Sequence, residues 1–154
     1  MKIAIAGYGV VGRGTHELLL MNRGKIAARA GEEIEVKYVL DPKPLEGTPA
    51  EQLKASGIEE ILADPEVKLL VEAIGGVGPA YEYVKAALES GRSVVTPNKQ
   101  LVAEKGAELL AIAKEKNVGF LFEASVAGGT PVLHPISQCL RANDLDLAAG
   151  ILNG

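Results

Sequence analysis

Short apolar runs alternate along the chain with longer amphipathic stretches, the pattern of a parallel sheet wrapped by helices. Lys2 to Ala6 reads as a first buried strand and Glu35 to Leu40, β-branched and apolar, as a second. Between them a helix is expected from about Val10 to beyond Leu20, with Val11, Thr15, Leu18 and Leu19 on its inner face. Thr48-Pro49-Ala50-Glu51 carries the signature of a helix start: a capping hydroxyl, proline at the first helical position and an acid three residues on. Leu69 to Ile74 is an almost uninterrupted apolar run, as in a strand buried on both faces. Pro79 to Ser90 is a helix burying Val84, Ala87 and Leu88 and closed by Gly91. Ser93 to Thr96 is a strand, Glu104 to Lys116 a helix and Gly119 to Glu123 a strand. Beyond a Gly-Gly loop, a helix of about ten residues is expected near Pro131, then a strand near Ala148 to Leu152.

This order predicts one α/β domain: a doubly wound, mostly parallel sheet in three layers. Right-handed crossovers put the ligand crevice at the carboxyl ends of the strands. The length of 154 residues suits one well-buried domain and is too short for two. A net charge of −4, with no basic block, argues against nucleic acid as a partner. No apolar run has the length of a membrane span or a signal peptide, so the chain reads as cytoplasmic. Cys139 is the only cysteine; it forms no internal disulfide and reads as a small core hydrophobe.

The sharpest motif is Gly7-Tyr8-Gly9-Val10-Val11-Gly12. It follows a strand and opens a helix, the context that makes G-x-G-x-x-G a dinucleotide-binding fingerprint of the Rossmann type. Gly7 permits the tight turn, Gly9 leaves room for a pyrophosphate and Gly12 lets helix and strand pack closely. The helix start offers free N–H groups and a positive dipole end to the phosphates. Asp41, at the end of the second strand, is placed to accept hydrogen bonds from the adenosine ribose, which favours NAD. Lys43 beside it would suit the 2′-phosphate of NADP, and Asp41-Pro42 also has the composition of a simple turn. Ile74-Gly75-Gly76 ends the strand beside the cofactor, where backbone either approaches the ribose and nicotinamide or forms an ordinary glycine loop.

Two further segments, Val94-Val95-Thr96-Pro97-Asn98-Lys99 and Phe122-Glu123-Ala124-Ser125-Val126-Ala127-Gly128-Gly129-Thr130-Pro131, join the glycine loop and the terminal Gly150-Ile151-Leu152-Asn153-Gly154. Together, over essentially the whole chain, they resemble homoserine dehydrogenase; Pro97 departs from the alanine often found there. The resemblance implies reversible hydride transfer between a nicotinamide cofactor and the L-homoserine/L-aspartate 4-semialdehyde pair, on the route to threonine, methionine and isoleucine. It implies that Thr96 and Asn98 contact cofactor, that Lys99 lies at the nicotinamide and the substrate oxygen, and that Gly154 approaches substrate. Physical chemistry agrees for the lysine, because reducing an aldehyde builds negative charge on its oxygen; a surface lysine is the bland alternative. The resemblance further implies a monovalent cation, usually Na+, held by Glu123 and the carbonyls of Val126, Gly128 and Thr130. The alternative is that backbone N–H groups of that loop hold Glu123.

Members of that family continue beyond the Asn-Gly pair into a substrate and dimerisation domain, and the complete protein is expected to be a homodimer acting on a small molecule. With that wall of the cleft missing, the chain alone is expected to bind cofactor weakly or moderately and to catalyse poorly. A stand-alone NAD(H) sensor has no use for a poised lysine. Another reductase on this fold, such as an aspartate dehydrogenase or dihydrodipicolinate reductase, is disfavoured by the Ala-Ser-Val-Ala-Gly-Gly segment.

Overall fold

A computed structural model describes residues 1–147 together with 149 and 150. Five parallel strands, β1 (Lys2–Ala6), β2 (Glu35–Leu40), β3 (Val67–Glu72), β4 (Ser93–Val95) and β5 (Phe120–Leu121), form one sheet in the order β2-β1-β3-β4-β5. Ala6 pairs with both Leu40 and Glu72, and Val95 with both Val71 and Leu121, so the carboxyl ends of all five strands share one edge. The chain winds left from β1 to β2, then returns to continue right from β3. The order reverses between β1 and β3, the place where a crevice opens in such sheets. Outside β2 there is no full third strand on that side among the described residues, only a bridge between Val39 and Lys54.

Side-chain alternation along the strands supplies two cores. Ala4, Ala6, Leu70, Val94 and Phe120 pack on one face against α3 (Ile58–Ala63), α4 (Gly78–Glu89) and α5 (Lys99–Lys116). On the other face, Ile3, Ile5, Val36, Val39 and Val71 pack with Leu19 of α1 (Val10–Met21) and the 45–53 segment. These helices leave part of that second face bare, and Leu121 stays 59% exposed.

Several elements differ from the sequence-based expectation. In α1 the buried positions are Gly12 and His16, whereas Val11 and Leu18 face solvent. A second helix, α2 (Arg23–Ala30), fills part of the long first crossover and buries no residue. The expected helix at Thr48 amounts to one 3-10 turn, Glu51–Leu53. Its capping chemistry is present: Thr48 Oγ1 accepts the Ala50 N–H (3.2 Å) and Glu51 accepts the Gly47 N–H (3.0 Å). The turn stops because Ala55 N–H donates to Val39 C=O (2.9 Å), drawing the chain into an extended path beside β2. Helix α4 matches expectation, with Val84, Ala87 and Leu88 buried.

α5 begins at Lys99 rather than Glu104, because the Asn98 side chain accepts the Leu101 N–H (3.1 Å) and caps it. The helix expected near Pro131 is a five-residue π-helical turn, Pro135–Cys139, and Cys139 is exposed rather than in the core. The strand expected near Ala148–Leu152 and the site residue Gly154 lie outside the described residues. Among those described, no helix is long and apolar enough to cross a membrane.

Candidate functional site

Each glycine of the first loop answers to a different constraint. Gly7 has φ +93°, and a Cβ there would lie 2.5 Å from the Ala73 carbonyl. At Gly12 a Cβ would come within 1.9 Å of the Gly7 carbonyl oxygen. Gly9 is different: its φ of −74° suits any residue, and a Cβ there would meet nothing within 4 Å. No protein group requires glycine there, and the space above Gly9 is open. Helix α1 starts at this point without a side-chain cap, and its first backbone bond is Arg13 N–H to Gly9 C=O. The N–H groups of Val10, Val11 and Gly12 therefore open toward that space, with Val10 93% exposed.

The loop is held from three sides. Gly7 N–H donates to Leu40 C=O (2.8 Å), and Tyr8 N–H donates to Asp41 Oδ2 (2.6 Å). The Tyr8 hydroxyl meets His16 Nδ1 at 2.8 Å inside the second core, which ties the loop to the helix it opens. Burial holds the His16 imidazole below its usual pKa.

A cleft of about 710 Å³ runs from this loop across the ends of β2 and β3 to α4. Gly7, Tyr8, Gly9, Asp41, Lys43 and Ile74 all line it. So do Lys54, Ser56 and Tyr83, which sequence reasoning missed because nothing local marks them. Asp41 does not face the cleft with two free oxygens. Oδ2 accepts Tyr8 N–H and Oδ1 accepts Lys43 N–H (2.8 Å), so its carboxylate shapes the loop and its own turn. Lys54 Nζ donates to the Lys43 carbonyl (3.0 Å), placing both lysines at this end.

Farther along the same edge, Gly75 and Gly76 take left-handed φ values of 82° and 69°. Asn98 Nδ2 donates to Gly76 C=O (2.6 Å), and Thr96 Oγ1 accepts Asn98 N–H (2.9 Å). Lys99 follows at once, exposed, as the first residue of α5. A cation at the positive end of a helix dipole is unfavourable for the helix, so helix stability does not explain this lysine. Beyond β5, Glu123 accepts three backbone N–H groups, from Val132 (2.5 Å), Leu133 (2.9 Å) and His134 (2.7 Å). The first of these does most to hold its carboxyl below the usual range.

The family model described as homoserine dehydrogenase, NAD binding domain, matches residues 7–123. The chain belongs to the homoserine dehydrogenase family. It is 44% identical to the homoserine dehydrogenase of Pseudomonas aeruginosa and 38% identical to that of Lactococcus lactis, with all of this chain aligned in each case. It spans only 36% of the first relative and 37% of the second. The crystal structure of the Thiobacillus denitrificans homoserine dehydrogenase superposes with a TM-score of 0.84 and 38% identity, over 93% of this chain and 34% of that one. A hyperthermophilic archaeal homoserine dehydrogenase in complex with NADPH superposes at 0.69 with 28% identity, over 88% of this chain and 48% of that one.

Against the homoserine dehydrogenase pattern, the structure gathers the predicted residues into two stretches of one edge. One holds the glycine loop, Asp41, Lys43 and Ile74; the other holds Gly75, Gly76, Thr96, Asn98 and Lys99. Val126, Gly128 and Thr130 lie in a loop that turns through left-handed Ala127 (φ 57°) and Gly128 (φ 59°). Among the described residues, no group of three His, Cys, Asp or Glu side chains is placed to hold a metal.

Proposed function

We propose that this chain binds a nicotinamide dinucleotide across its carboxyl edge and carries the cofactor half of the homoserine dehydrogenase active site. The observation that carries the reading is Gly9, a glycine that neither backbone nor packing requires, at the mouth of an uncapped helix. Pyrophosphate oxygens are the ligand this geometry suits: acceptors facing free N–H groups at a positive dipole end. The adenosine ribose then falls near Asp41, Lys43, Lys54 and Ser56. With both Asp41 oxygens turned to backbone donors and two lysines beside them, this end suits a 2′-phosphate, and we assign NADP(H) as the preferred cofactor over NAD(H). The archaeal relative's NADPH complex is consistent with that choice.

When bound, the dinucleotide supplies or accepts the hydride. The chain's own contribution to the chemistry is Lys99, whose ammonium offsets charge developing on the oxygen of the homoserine/aspartate semialdehyde pair. Glu123 holds the 132–134 backbone in this reading, and no step uses a cation.

The test is an assay of L-homoserine oxidation with NADP+ by this chain completed with the downstream part of the Pseudomonas aeruginosa relative. Homoserine-dependent NADPH formation that Lys99→Ala lowers by at least about a hundredfold supports the reading. Turnover unchanged by Lys99→Ala removes the lysine from the chemistry. Turnover of other small carbonyl compounds with none of homoserine overturns the substrate.

A further inference from the structure

The most deeply buried charged side chain in the site region is one that neither the sequence motifs nor the proposed reaction uses. Glu72 ends β3 with 0% of its surface exposed, and it has no ion-pair partner among the described residues. Such a carboxylate is costly to bury, and an apolar residue would serve the core as well. What distinguishes Glu72 is where its hydrogen bonds go. Oε1 accepts the N–H groups of Ile74 (2.7 Å) and Gly75 (3.2 Å), fixing the backbone that leaves β3. Oε2 accepts the Thr96 hydroxyl, whose oxygen in turn accepts Asn98 N–H. Asn98 closes the circuit by donating to Gly76 C=O, while its own Oδ1 caps α5.

We infer that Glu72 is a positioning residue that, through Thr96 and Asn98, locks the Gly75–Gly76 backbone and Lys99 into one arrangement against the nicotinamide half of the bound cofactor. β4 is only three residues long and its pairing with β3 ends at Val71–Val95, so past that point the side-chain bonds of Glu72, Thr96 and Asn98 join the two loops. Glu72 and Thr96 are the rung beneath them, and Asn98 to Gly76 is the rung above. Lys99 sits one residue past the upper rung. The inference rests on the dinucleotide reading given above.

Thr96→Val keeps shape but removes the hydroxyl, leaving Glu72 Oε2 without its donor and Asn98 N–H without its acceptor. Thr96→Ser keeps both bonds. Glu72→Gln reverses the donor at Oε2, so the Thr96 hydroxyl loses its acceptor. Each variant of this chain is titrated with NADPH and with 2′-phospho-ADP-ribose, which has the pyrophosphate and both riboses but no nicotinamide. The expected result is that the wild type and Thr96→Ser bind NADPH more tightly than the truncated ligand. Thr96→Val and Glu72→Gln should lose that difference, about tenfold in NADPH affinity, with 2′-phospho-ADP-ribose affinity unchanged. Parallel loss for both ligands would make the cluster merely structural and overturn the inference. Unchanged NADPH binding in the Thr96→Val variant, or no nicotinamide increment in the wild type, would overturn it equally. A wild type that binds neither ligand rejects the dinucleotide reading itself, a separate result from any of these.

Discussion

Three glycines within six residues make different demands, and substitution separates them. Gly12→Ala places a methyl group 1.9 Å from the Gly7 carbonyl oxygen, so α1 and the loop must move apart. A loss of about 1–3 kcal/mol in unfolding free energy, read from denaturant titration, is the expected cost. At Gly9 an added Cβ meets nothing within 4 Å, so Gly9→Val should cost the fold less than Gly12→Ala, no more than a weakened N-cap, while filling the ligand's space. The motif was legible in the sequence, and so was a separate task for each glycine. What was not legible was the fate of Asp41. A carboxylate after a strand reads equally as a ribose acceptor or a turn former, and only the hydrogen bonds from Tyr8 and Lys43 decide where its oxygens point. Glu72 did leave a mark, a lone acid inside an apolar run, but its partner Thr96 lies just past another strand and no spacing rule joins them.

Elements were readable wherever the apolar pattern matches the buried face. β1 and β3, at the centre of the sheet, stand out as apolar runs, and α4 because Val84, Ala87 and Leu88 lie on its inner face. Helix α1 misled because most of its leucines and valines face outward while Gly12 and His16 face the sheet, leaving a hydrophobic pattern that points the wrong way. His16 gives this element a pH signature. Burial lowers its pKa, so the folded state holds it neutral while the unfolded chain takes up a proton below about pH 6.5. The stabilising contribution is therefore present above that pH and is lost as pH falls below it. Melting temperature should drop on acidification from about pH 6.5, ahead of any carboxylate titration, and His16→Gln should flatten that part of the curve. The 123–134 segment carries its own check. If Glu123 serves the Val132, Leu133 and His134 N–H groups, exchanging sodium for choline should leave the melting temperature unchanged, whereas Glu123→Gln should lower it; a sodium-dependent rise would assign the carboxylate to a cation instead.

The whole molecule is a sheet whose order reverses between β1 and β3, with every recognised motif among the described residues on the loops at one edge. Chain order alone carried that far: alternating strands and helices with right-handed crossovers leave little freedom in where the crevice opens. What chain order did not reveal is that a bridge to Val39 brings Lys54 beside β2, and with it Ser56 into the cleft, from a segment that reads in sequence as the start of a helix. The chain spans 36% of the length of the Pseudomonas aeruginosa relative, so the part in catalysis we propose for it is to hold the dinucleotide and present Lys99. Calorimetric titration of the chain with NADPH and NADH, beside the Gly9→Val variant, tests that claim most directly. The account predicts saturable binding of both, tighter for NADPH, and at least about tenfold weaker binding in a Gly9→Val protein shown to be folded. Binding of neither dinucleotide, or equal binding by the variant, would contradict it.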